Sequence, residues 1–190
     1  SNVGRNIIRG NWIGLSATGD TLANGGNGIF LDSPNNVIGG TVAGARNVIS
    51  GNGYPGIFIG NAATATLIQG NYIGTDPTGA LDRGNLQNGI NIDQANNCVI
   101  GGNTPTARNV ISGNDYPNVY VYGPATGNRI QGNYIGTDAS GLLGLGDGNA
   151  IVLENAANNQ IGGAAAGEGM LSSGHPFTAV VIMSAGSTGN

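Results

Sequence analysis

Ala45-Arg46-Asn47-Val48-Ile49-Ser50-Gly51-Asn52 returns letter for letter as Ala107-Arg108-Asn109-Val110-Ile111-Ser112-Gly113-Asn114. The surroundings repeat as well. Asn27-Gly28-Ile29, Asn88-Gly89-Ile90 and Asn149-Ala150-Ile151 recur at offsets of 61 and 61. Gly-Asn-aromatic-Ile-Gly occurs at Gly10–Gly14, Gly70–Gly74 and Gly132–Gly136. A third, degenerate copy of the octet reads Glu168-Gly169-Met170-Leu171-Ser172. The chain is therefore three copies of a unit of about 61 residues.

Each unit divides again. One apolar column runs Ile8, Ile38, Ile68, Ile100, Ile130, Ile161, in steps of 30 to 32. A second runs Ile29, Ile57, Ile90, Val119, Ile151, Val180. A third runs Ile13, Ile49, Ile73, Ile111, Ile135, Leu171, and its steps alternate 36, 24, 38, 24, 36. The alternation means that a long loop precedes the third strand in one type of turn (residues 39–45, 101–107) and follows it in the other (74–87, 136–148). Short β-branched runs such as Gly28-Ile29-Phe30-Leu31 and Asn47-Val48-Ile49-Ser50 alternate inward and outward, bounded by Gly and Asn. Nothing has a helical period, and 37 glycines in 190 residues would undermine helices. These features predict one all-β domain over residues 1–190: a parallel β-helix (β-solenoid) of six rungs of about 30 residues and a partial seventh. Asparagines two residues before an inward Ile (Asn6, Asn36, Asn47, Asn109, Asn128, Asn159) suit amide ladders at the corners. Asn6, Asn128 and Asn190 share one phase, which reads as a piece of a longer array.

Composition excludes several functions. There is no lysine, six arginines face ten acids, and charged residues make up 8%, giving a net charge of −4 with no basic cluster. Such a chain cannot neutralise a row of phosphates, so no nucleic-acid partner is expected. No apolar run approaches 18 residues, so no membrane insertion is expected. The single cysteine, Cys98, rules out an intrachain disulfide framework.

Asn36-Val37-Ile38-Gly39-Gly40, the octet Ala45–Asn52 and Gln69-Gly70-Asn71-Tyr72-Ile73-Gly74-Thr75-Asp76 resemble the repeats of right-handed parallel β-helix proteins, the pectate-lyase-like superfamily. They are particularly similar to the Asn/Gly-rich arrays of large secreted or surface-attached bacterial proteins. The resemblance implies a right-handed coil and an extracellular or cell-surface location. It leaves the activity open, because that superfamily spans lyases, hydrolases, epimerases, phage tailspikes and passive adhesin stalks. The enzymes' signatures are missing: the chain has no Asp-Asp, no Asp-Pro-His-Glu, and its one histidine reads Ser173-Gly174-His175-Pro176. The expectation is a passive structural or adhesive segment without catalysis or cofactor of its own, whose exposed end rungs invite end-to-end self-association.

The alternative is a carbohydrate-active module acting on an extended polysaccharide. Outward positions of the first strand ladder carry Phe30, Phe58, Asn91, Tyr120, Val152 and Val181. The next outward positions carry Asp32, Gly60, Asp93, Tyr122, Glu154 and Met183. The ligand-binding residues expected on that face are Phe30, Asp32, Phe58, Asn91, Asp93, Tyr120, Tyr122 and Glu154. Asp32, Asp93 and Glu154 stand two rungs apart, about 9.6 Å. That is close to the spacing of an inverting carboxylate pair, and aromatic faces suit sugar rings. Asp76 and Asp138, with Asp82 and Asp147 downstream, offer oxygens for Ca²⁺, but turn chemistry is the simpler reading. His175 and Cys98 read as corner residues; Arg46 and Arg108 offer a grip for an anionic glycan, but Glu168 breaks the stripe in the third copy, and corner hydrogen bonding is the simpler reading.

Overall fold

The computed structural model describes residues 5–146 and 148–190; Asp147 lies outside them. Among the described residues the chain is all β, with no helix. It winds into a parallel β-solenoid of about six turns, with three six-stranded sheets. The first sheet stacks Ile29–Leu31, Ile57–Ile59, Ile90–Asp93, Val119–Tyr122, Ile151–Glu154 and Val180–Met183. The second stacks Ile7–Ile8, Val37–Gly39, Leu67–Gln69, Val99–Gly101, Arg129–Gln131 and Gln160–Ile161. The third stacks Trp12–Ile13, Val48–Ile49, Tyr72–Ile73, Val110–Ile111, Tyr134–Ile135 and Leu171–Ser172.

Strands of two to four residues are too short to hold a sheet alone. What holds them is that every inward residue lands on its copy one rung away. The Ile38, Ile68, Ile100 and Ile130 column has no exposed surface, and the other two columns join it in one core. Registers agree with the periodicity in the first two sheets.

The third sheet departs from it at its last strand. Leu171 pairs with Tyr134, and Ser172 pairs with Ile135. The expected column therefore ends in Ser172 rather than Leu171, a slip of one residue that exchanges the faces. Met170 packs on the core in compensation, while the Ser172 hydroxyl is buried without a partner. The same shift aligns Gly169, not Glu168, with Arg46 and Arg108. Glu168 takes the place of Ala107, as its carbonyl accepts the Gly132 N–H just as the Ala107 carbonyl accepts that of Gly70.

Amide ladders run along the corners, and they are more extensive than the six predicted asparagines. Asn11, Asn47, Asn71, Asn109 and Asn133 pass a Nδ2–H to the next Oδ1 at 3.0, 3.0, 3.1 and 2.9 Å. Each backbone N–H points at the same oxygen. Asn24, Asn52, Asn85 and Asn114 form another, at 2.9, 2.8 and 2.8 Å. The predicted Asn6–Asn36 and Asn128–Asn159 steps lie in a third ladder, which Thr66 and Cys98 interrupt. Gly74 shows why glycine dominates the bends: its φ is +89°, and a Cβ there would stand 2.0 Å from the Ser112 carbonyl oxygen.

Candidate functional site

Sheet register keeps the predicted face as one continuous ladder, Phe58 pairing with Asn91, and side-chain contacts gather its residues into two groups. At one end the Phe30 and Phe58 rings stack at 5.4 Å and 7°, with Asp32 beside Gly60. From the next rung on, Asn91, Asp93, Tyr120, Tyr122 and Glu154 gather: Tyr120 pairs with Asn91, and Tyr122 lies between Asp93 and Glu154 in the ladder.

The second group is built tightly. The Tyr120 hydroxyl donates to Glu154 Oε2 at 2.6 Å. Reaching one rung along, its ring passes Val152, which is 2% exposed although its strand position faces outward. Tyr120 and Tyr122 rings sit 6.0 Å apart. Burial and the Glu154 carboxylate, with smaller contributions from Tyr122 and Asp93, push the Tyr120 phenol well above its ordinary value, so it stays a donor. Tyr122 therefore occupies the rung between the two carboxylates, where a glycosidase pair would need an open space for sugar and water. The arrangement is suited to holding a sugar ring rather than to cleaving a glycosidic bond.

Beside it lies a groove of about 360 Å³, lined by Tyr116, Pro117, Tyr120, Val152, Glu154 and Met183 among others. The Asn91 Oδ1 is buried with no partner. Periodicity did not single out Tyr116, which is 60% exposed at a corner. The signal for it is the Tyr-Pro pair that recurs as Tyr54-Pro55 and Tyr116-Pro117.

The turn aspartates, His175 and Cys98 are occupied by the scaffold. Asp76 receives the Ala80 and Leu81 N–H groups at 2.9 Å each and the Thr78 hydroxyl at 2.7 Å. Asp138 repeats this with Leu142, Leu143 and Ser140. Burial alone would raise Asp76, but the Leu81, Thr78 and Ala80 bonds outweigh it and hold the carboxyl below its ordinary value. The Ser140 hydroxyl leads the same effect at Asp138. In the first copy Ser16 closes the equivalent turn with its hydroxyl, accepting the Thr18 and Asp20 N–H groups. Asp82 accepts the Gly84 N–H at 2.8 Å. Among the described residues no three His, Cys, Asp or Glu side chains gather to hold a metal.

His175 stands where Asn114 stands two rungs earlier. Its Nε2 lies 3.2 Å from the Ile135 carbonyl oxygen, as Asn114 Nδ2 lies 3.3 Å from that of Ile73. Cys98 occupies an asparagine step of the third ladder, its Sγ 3.7 Å from the Ala63 carbonyl, and burial pushes its thiol up to about 11. It is thus neither ionised nor near His175. Compared with known proteins, the chain matches no family model, no curated protein and no solved structure.

Proposed function

We propose that this chain is a passive structural and adhesive β-solenoid segment of a secreted or cell-surface protein, of the bacterial, pectate-lyase-like kind its repeats resemble, with no catalysis of its own. One observation carries the reading. The side chains that catalysis or metal binding would draw on first are spent on the scaffold: His175 and Cys98 fill corner positions, Asp76 and Asp138 close turns, and the asparagines run in buried ladders. Incubation with polygalacturonate, alginate and xylan, followed by assay of new reducing ends and unsaturated products, tests it. No product is expected, and turnover of any of the three overturns the reading.

A second reading is favoured by the groove beside Tyr120. There an exposed tyrosine and a Tyr–Glu pair offer stacking and hydrogen bonds to a polysaccharide lying along the first sheet. In gels cast with neutral xylan, this reading expects retarded migration that Tyr120→Ala abolishes.

A further inference from the structure

The outer face of the third sheet carries two cations that lack counter-charges. Arg46 lies flat over the Tyr72 ring, its Cζ 3.8 Å from the centroid, and its Nε donates to the Gly70 carbonyl at 3.3 Å. Arg108 repeats the arrangement over Tyr134 at 3.9 Å, with its Nε donating to Gly132. Stacking and the Nε bond fix each guanidinium plane and leave its Nη edge free, the edge that recognises an oxyanion with two parallel N–H bonds. Among the described residues the one ion pair is Arg83 with Asp20, at 3.5 Å. Asp76 and Asp138, whose loops pack against the same tyrosines, direct their oxygens into their own turns.

The winding also opens a cleft at the first of these arginines. The long loop before the third strand exists only on alternate rungs, as residues 40–44 and again at 102–106. The rung between turns tightly through Gly70, where a Cβ would stand 2.3 Å from the Gly40 carbonyl oxygen. What remains is a cleft of about 510 Å³ lined by residues 40–44, Arg46, Gly70 and Thr106. Arg46 and Arg108 are two rungs apart on one face, about 9.6 Å along the axis. A single exposed ion pair binds weakly, whereas two sites engaged by one strand multiply their effect.

We propose that Arg46 and Arg108 form a binding site for an acidic polysaccharide, a polymer bearing carboxylate or sulfate groups laid along the solenoid axis. The site deepens the adhesive half of the proposed function and rests on it only for the ligand being a polymer. It is independent of the Tyr120 groove and of any catalysis.

Affinity electrophoresis through gels cast with polygalacturonate, dextran sulfate or neutral xylan tests it, at low and raised salt. The intact chain should be retarded by an anionic polymer, less so as salt rises, and not by xylan through this site. Retention by polygalacturonate alone identifies carboxylate as the ligand group, and retention by dextran sulfate alone identifies sulfate. Arg46→Gln with Arg108→Gln should weaken the apparent affinity by about tenfold or more, while Arg129→Gln, which removes an exposed arginine of the second sheet, leaves it unchanged. A circular-dichroism melt checks that the double variant is folded. Should it not fold, phenylglyoxal modification of the intact chain decides: added polymer should protect Arg46 and Arg108. The proposal is overturned if neither anionic polymer retards the intact chain, if the folded double variant is retarded equally, or if the polymer protects neither arginine. Product formation in the turnover assay would instead sink the passive reading and leave this site standing.

Discussion

Asn109 shows what one residue does in this fold. It has no exposed surface, its Oδ1 receives the Asn71 N–H and Nδ2–H, and its own Nδ2 serves the Ile68 carbonyl and Asn133 Oδ1. Truncation would orphan donors and acceptors on both neighbouring rungs, each a buried polar group without water. Asn109→Ala should therefore lower stability by about 3 kcal/mol, read as a shift in the urea midpoint. Asn6→Ala, at an exposed position, should cost below about 0.5 kcal/mol. Equal losses would mean that the ladder is decorative. The sequence revealed that asparagine recurs at corners. It did not reveal that Asn71, Asn85 and Asn133 join ladders, because only the fold shows which corner each occupies.

At the scale of the element, the turns at Asp76 and Asp138 are stabilised by carboxylates held below their ordinary values. Such a group supports the fold while ionised. Its contribution is complete above the unfolded-state value of 3.8 and is lost as pH falls through the lower folded value. Thermal midpoints should hold from neutral pH down to about pH 4 and then drop. In Asp76→Asn with Asp138→Asn the midpoint should start lower at neutral pH and fall less on acidification. Parallel pH curves for the two proteins would show that these turns contribute nothing. The arginine stripe belongs to this scale too. Repetition displayed Arg46 and Arg108, but their stacking on Tyr72 and Tyr134 depends on a tyrosine one rung away, contributed from 26 residues further along in each case.

For the whole molecule, stability is close to a sum of rungs and the interfaces between neighbours. Inner rungs have two such interfaces, and their core residues Ile73, Ile92 and Ile111 have no exposed surface. In the outermost strand of the first sheet Ile182, which pairs with the fully buried Leu153, is 49% exposed. Amide hydrogen exchange should therefore be slowest at Ile73, Ile92 and Ile111, approaching the free energy of global unfolding, and fast at Ile7 and Val180. Uniform protection along the rod would contradict a rung-by-rung account.

The sequence by itself determined the solenoid, its rung length, its three strands per turn and the inward columns, because a period of about 30 residues leaves each β-branched position one partner, its own copy. It also separated the two loop types, through the alternating steps of the third column. Only the tertiary structure decided the register of Leu171–Ser172, where the degenerate repeat offers no letter-for-letter guide and Met170 supplies the core contact instead. Only it divided the outward face into a Phe30–Phe58 stack and a Tyr120–Glu154 cluster, and placed Tyr116 beside the latter. Outward side chains are not bound to the repeat as inward ones are: they reach across rungs to whatever neighbour is within range, and that reach is set by geometry in three dimensions rather than by spacing along the chain.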